Sequence, residues 1–196
     1  TTAKTFTQEL RFAGGTDRFP WVAGGFFSRQ DRDYGQDLQV LGFERLTGIS
    51  TRGLRAPVDT LFFPDLGYRL NQFAPFGQGT LSLTDRLSLT AGLRYFRFDE
   101  DKEQVFDGIF GNDNNGTSLV SQPGSTDADG LAPRIIAMYK LSARSNLNAQ
   151  VSRGFRLGGI NDPLNVPLCT PQDLQTFGGR DTWDNESVWN YEAGFK

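Results

Sequence analysis

Carboxylate pairs such as Asp99/Asp101 and Asp127/Asp129 are spaced as general acid–base pairs could be, but no base or metal-ligand cluster accompanies them. Both pairs lie in solvated, loop-like runs. The sequence contains 0 His, which removes Ser-His-Asp triads, Cys-His dyads and His-containing zinc sites. The single Cys169 closes no intrachain disulfide and reads as a loop thiol in Pro167-Leu168-Cys169-Thr170-Pro171. Gly111-Asn112-Asp113-Asn114-Asn115-Gly116 resembles a calcium loop, yet it lacks the acidic spacing and terminal Glu of an EF-hand, so an exposed tip is expected. No catalytic residue, metal or cofactor is therefore expected, and the chain is not read as an enzyme. What remains is electrostatic: Arg94, Arg134 and Glu192 on the polar parity of alternating runs, Arg156 at the end of one, and Arg97 and Arg153 on the apolar parity.

These charges need strands to position them, and the pattern supplies strands. In residues 87–97, Leu87, Leu89, Ala91, Leu93 and Tyr95 alternate with Ser88, Thr90, Gly92, Arg94 and Phe96. Thr80-Leu81-Ser82-Leu83 alternates likewise, and Thr84-Asp85-Arg86 closes a hairpin. A second hairpin is expected over 131–141 and 146–156 around Ser142-Ala143-Arg144-Ser145. Near the start, Thr5, Thr7, Glu9 and Arg11 alternate with Phe6, Gln8, Leu10 and Phe12, and 19–29 is the partner beyond Gly14-Gly15-Thr16-Asp17. Phe26-Phe27 and Gly24-Gly25 leave the inward face of that partner open. A last strand over 187–195 sets Trp189, Tyr191, Ala193 and Phe195 against Val188, Asn190, Glu192 and Gly194.

Between the hairpins lie long polar stretches, about 30–68, 99–130 and 157–185. Loops of that length count against a compact soluble domain, whereas outer-membrane barrels join short periplasmic turns to long extracellular loops. No run of about 18 apolar residues exists, so a transmembrane helix is excluded while membrane-crossing strands are not. With 20 basic against 23 acidic residues, a net charge of -3, nucleic acid is not an expected partner. An aromatic content of 13% with 23 Gly fits a twisted, turn-rich β protein. Alternation alone is shared with a soluble β-sandwich. Trp21, Tyr95, Phe155, Trp189 and Tyr191 near strand ends fit an interfacial girdle, and ordinary core aromatics are the other reading. The only Met is Met138, no signal-peptide pattern starts at Thr1, and Lys196 falls inside or at the end of a strand pattern, so a piece of something longer is expected.

Thr7-Gln8-Glu9-Leu10-Arg11-Phe12, Phe76-Gly77-Gln78, Leu89-Thr90-Ala91-Gly92-Leu93-Arg94-Tyr95, Ala132-Pro133-Arg134, Ser152-Arg153-Gly154-Phe155-Arg156 and Asn190-Tyr191-Glu192-Ala193-Gly194-Phe195-Lys196 resemble successive barrel strands of TonB-dependent outer-membrane receptors, in the family's order. The resemblance implies an all-β fold, an antiparallel transmembrane β-barrel fragment. About seven up-and-down strands would form a curved open sheet over residues 1–196, with no plug domain and no C-terminal closing strand. It implies location in the bacterial outer membrane and energised uptake of a scarce ligand: a ferric siderophore first, otherwise cobalamin or a glycan. The implied partners are outer-membrane lipid and lipopolysaccharide, the plug and remaining strands of the same protein, TonB indirectly through the plug, and the small-molecule ligand. Arg94, Arg134, Arg156 and Glu192 would line the substrate path or touch the plug. Arg97 and Arg153 would meet outer-leaflet phosphates.

A passive pore or autotransporter-type barrel shares this strand pattern without a plug. A soluble β-rich secreted binding domain shares its alternation.

Overall fold

The computed structural model describes residues 1–51, 53–111, 119–121, 123–161 and 169–196. Seven long strands, each antiparallel to the next, form one sheet ordered β1 (Thr2–Thr16), β2 (Phe19–Gly35), β4 (Thr60–Ser82), β5 (Leu87–Asp107), β7 (Gly124–Lys140), β8 (Asn146–Arg156) and β11 (Glu186–Phe195). The two-residue strand β3 (Leu38–Gln39) extends β4, and β6 (Val120–Ser121) extends β5. A separate ribbon pairs β9 (Gly159–Ile160) with β10 (Thr182–Trp183). Helices α1 (Phe43–Thr47) and α2 (Pro171–Phe177) sit in the connections. This is the curved, open, up-and-down sheet expected of a receptor-barrel fragment.

The three short connections share one end of the sheet because every hairpin reverses direction. Thr84 shows why such a turn is tight: its Oγ1 accepts from the amides of Arg86 at 3.2 Å and Leu87 at 3.0 Å. At the first turn Gly15 takes φ 111°, a left-handed backbone that a side chain would strain.

Register assigns the two faces. Along β5 the odd positions Leu89, Ala91 and Leu93 are exposed, whereas Phe96, Phe98, Lys102, Gln104 and Phe106 are buried on the even, concave face. The convex face continues as Phe6, Leu10 and Phe12 of β1, Trp21 and Phe27 of β2, Leu131 and Ile135 of β7, Leu147 of β8, and Tyr191 and Phe195 of β11, all exposed. A patch this large is unfavourable against water and suited to hydrocarbon. The ambiguity at Phe26-Phe27 resolves in the same way. Phe26 packs toward the concave cluster of Ala74, Phe96, Phe98 and Ala128, and Phe27 meets Phe6 on the outside at 6.3 Å.

Two expectations need correcting. The strands reach well into the stretches read as loops, since residues 30–35 pair with 65–70, and 99–107 with 63–71. A tilted strand needs only about 9–11 residues to cross a bilayer. Residues 87–95 meet that length, and beyond them the convex positions switch to Arg97, Asp99, Asp101 and Glu103. Charged side chains hid strands whose backbone ladder simply continues. The second correction concerns Phe155, which is not a girdle residue. Its ring stacks on Phe96 inside the concave face. The expected exposed tip at Asn112–Gly116 lies outside the described residues.

Candidate functional site

Two recesses on the concave face bear on the expected charges. The membrane-level one has a volume of about 510 Å³ and is lined by Glu9, Arg11, Gln72, Gln78, Arg94 and Arg134 among others. Arg11, Gly24, Phe76, Arg94 and Ala132 form one transverse row across five strands. Arg11 lies 5.9 Å from the centre of the Phe76 ring and is ion-paired with Glu9, while Arg94 lies 5.6 Å from that of Phe26. Gly24 makes the row possible: a Cβ there would come 2.2 Å from the Leu10 carbonyl oxygen and 2.8 Å from the Phe76 ring. The Nε of Arg94 is shielded from solvent and has no hydrogen-bond partner among the described residues. Such a donor costs free energy until an acceptor arrives.

The other expected concave charges follow the register. Arg134 sits between Gly92 and Ser152 and donates from Nε to Gln150 Oε1 at 3.0 Å. Glu192 faces Gln150 across the β8–β11 ladder and accepts from Asn190 Nδ2. Arg156 stands at the loop end of β8, its Nη2 3.1 Å from Glu186 Oε2, with both side chains mostly exposed. Exposed pairs of this kind are worth about 0–1 kcal/mol. The structure therefore groups Arg94 with Arg134 and leaves Arg156 and Glu192 apart from them. On the convex face Arg97 Nη2 lies 3.5 Å from Asp99 Oδ1, and Arg153 Nη2 donates to Ser187 Oγ at 3.1 Å.

The upper recess, about 550 Å³, was not foreseen. Past Ser152 β8 parts from β7 but stays paired with β11 as far as Arg156, and Phe155 and the residues after it reach the concave face. Phe155 stacks on Phe96 and Leu157 joins the same cluster, while Ile160 is buried where a Cβ on Gly124 would come within 2.9 Å of its Cγ2. Lys102 Nζ donates to the Ile160 carbonyl at 3.4 Å, and Gln104 Nε2 to that of Asn161 at 3.3 Å. Asn185 Oδ1 accepts from the Gly158 amide at 2.7 Å. Residues 158–161 and Trp183 thus roof a chamber whose wall carries Arg32, Tyr68, Glu100 and Lys102. The usable signal was the even parity these residues share with Arg94, masked because they lay in stretches read as loop.

Above the sheet, the β2–β4 connection is tied down by carboxylates. Asp59 accepts from the amides of Gly42 at 2.7 Å and Glu44 at 3.0 Å, and Glu44 from the amide and hydroxyl of Thr51 at 2.6 and 2.8 Å. Those bonds, backbone ones foremost, hold both carboxyls below their ordinary range. Asp107, almost fully buried, accepts from the amides of Arg55 and Ala56. Among the described residues no cluster of three or more His, Cys, Asp or Glu could hold a metal, and no helix is long and apolar enough to cross a membrane.

An antiparallel sheet with an apolar convex face, a polar concave face and short turns at one end defines the wall of a β-barrel of the outer-membrane type. The family model described as "TonB dependent receptor-like, beta-barrel" matches residues 2–196, so the chain belongs to that family. Barrels of this family reside in the Gram-negative outer membrane, and the family consists of receptors and transporters rather than enzymes. Among solved structures the chain resembles the ferric yersiniabactin uptake receptor FyuA of Yersinia pestis, with a TM-score of 0.73 and 17% identity over 98% of this chain and 26% of that one. It also resembles the siderophore receptor PiuA of Acinetobacter baumannii, with a TM-score of 0.62 and 13% identity over 98% of this chain and 29% of that one. The chain thus spans between a quarter and a third of those receptors. No curated protein sequence matches it.

Proposed function

We propose that this chain is part of the barrel of a TonB-dependent outer-membrane transporter that takes up a ferric siderophore. The carrying observation is the family match along residues 2–196, with solved siderophore receptors as structural neighbours over nearly the whole chain. Plug, remaining strands, TonB and lipopolysaccharide are the partners this reading requires. The barrel's share follows from its faces. The convex side chains meet lipid, and Arg97 and Arg153 stand where the apolar band gives way to charge and reach lipopolysaccharide phosphates. On the concave side, Arg94 and Arg134 face the plug, where the shielded Nε of Arg94 meets a plug acceptor. Arg156 and Glu192 line the ligand's route.

The test is uptake of radiolabelled ferric siderophores by cells depleted of iron. Deleting the parent gene abolishes uptake of one of them, and removing TonB abolishes the same uptake. Uptake that persists without TonB would identify a passive pore instead.

A further inference from the structure

We propose that the upper ends of β7 and β8 form a zipper with two positions, so that a strand of the barrel wall doubles as a gate over the lumen. The proposal rests on the barrel fold and on no ligand. In the structure the β7–β8 ladder ends at Arg134 and Ser152. Above it, residues 124–133 of β7 stay paired with β5, and residues 153–156 of β8 with β11. The two edges released by this split have no ladder partner among the described residues. The split begins inside the apolar band, since Pro133 and Leu131 stand opposite Leu93 and Tyr95. Lipid does not tolerate an open sheet edge, because amides and carbonyls find no water there.

Parity defines the second position. Phe155 shares the odd, convex parity of Val151 and Arg153, yet its ring lies against Phe96 on the concave side. The upper β8–β11 ribbon has therefore turned inward as a unit, carrying residues 157–161 over the lumen. Extending the lower register upward pairs Pro133 with Arg153, Ala132 with Gly154, Leu131 with Phe155 and Gly130 with Arg156. Phe155 then stands outside, in the row of Tyr95 and Leu131 at the top of the apolar band, where an aromatic ring is favoured. Arg156 takes the concave place beside Gly130 that Phe155 vacates.

The path between the positions is clear and the inward one is lightly latched. Gly130 leaves the Phe96 ring uncovered, since a Cβ there would come 2.7 Å from it, and a Cβ on Gly154 would meet nothing nearer than Val188 Cγ1 at 3.5 Å. The bonds from Lys102 and Gln104 to the carbonyls of Ile160 and Asn161, at 3.4 and 3.3 Å, are longer than the usual value of about 2.9 Å. Gln104 Oε1 is buried with no hydrogen-bond partner among the described residues. Lost ladder bonds on one side and the aromatic stack on the other make two packings of the same strands.

Two engineered disulfides read the two positions in the full-length receptor in outer membranes, on a background carrying Cys169→Ser. Gly124→Cys with Ile160→Cys reports the inward position, because a Cβ on Gly124 lies 2.9 Å from Ile160 Cγ2. Ala132→Cys with Gly154→Cys reports the zipped one, and Ala132→Cys with Arg156→Cys is the out-of-register control. Under mild oxidation both in-register bridges form and the control does not. Phe96→Ala removes the latch, so it speeds the 132–154 bridge about fivefold and slows the 124–160 bridge. Heat-modifiable gel mobility confirms that each barrel is folded, and Phe96→Leu replaces Phe96→Ala if the latter fails to assemble. Absence of either bridge, a control bridge as fast as the 132–154 one, or rates that the Phe96 substitution leaves unchanged overturns the zipper.

Discussion

Phe155 of β8 stacks on Phe96 of β5, ring centroids 3.4 Å apart and planes 15° from parallel, although β7 lies between those two strands in the sheet. The contact exists because β8 parts from β7 beyond Ser152 while staying paired with β11 to Arg156. It commits the start of a long loop to the interior. Large-to-small changes at packed aromatic positions cost about 3–5 kcal/mol, less where the ring is only partly buried. Phe155→Ala is expected to leave the sheet intact and to release the roof, seen as loss of amide-exchange protection confined to residues 157–161. Unchanged protection there would show that Phe155 does not hold the roof.

Asp107 holds the other loop, its carboxylate accepting from two amides at 2.6 and 2.8 Å. Hydrogen bonds to charged groups contribute about 1.5–3 kcal/mol. Asp107→Ala is expected to speed proteolytic cleavage within residues 49–58 severalfold, with global unfolding little changed.

Acid should loosen the same connection. Asp59 and Glu44 have carboxyl pKa values lowered by hydrogen bonds from backbone amides, so their contribution is fully present above the unfolded value of about 4 and is lost as pH falls through the lower folded value. Amide exchange at Gly42, Glu44 and Thr51, corrected for intrinsic rate, is expected to stay flat from neutral pH to about 5 and to rise once pH drops below about 4.

In the proposed receptor Arg94 faces the plug. If its shielded Nε meets a plug acceptor, Arg94→Ala in the full-length receptor lowers the urea concentration at which the plug unfolds inside the intact barrel. An unaltered urea midpoint would remove Arg94 from the plug contact.

Gly24 is set by space rather than by backbone conformation. Gly24→Val places branched carbon where the Leu10 carbonyl and the Phe76 ring already stand. Overpacking costs about 1–3 kcal/mol or more. Barrel assembly, followed by heat-modifiable gel mobility, should fall sharply, and Gly25→Val, with nothing within 4 Å, should be tolerated far better.

The strands were legible wherever apolar and polar residues alternate. Leu87 to Tyr95 and Trp189 to Phe195 announced themselves, and with them the parity that put Arg94, Arg134 and Glu192 on one face and Arg97 and Arg153 on the other. A period of two is a local property, so sequence suffices to read it. Residues 99–107 failed that reading because both faces there are rich in charge, and charge alternation carries no apolar signal even when the ladder continues. Arg32, Tyr68 and Lys102 lie far apart along the chain and share a row only through the registers of two hairpins. Their roof depends on where β8 abandons β7. Sequence alone determined the alternation, the absence of His and the resemblance to the barrel family. The tertiary structure decided where β8 parts from β7 and which distant charges share a row, because pairing register and the stacking of Phe155 on Phe96 are set by long-range packing that no local pattern encodes.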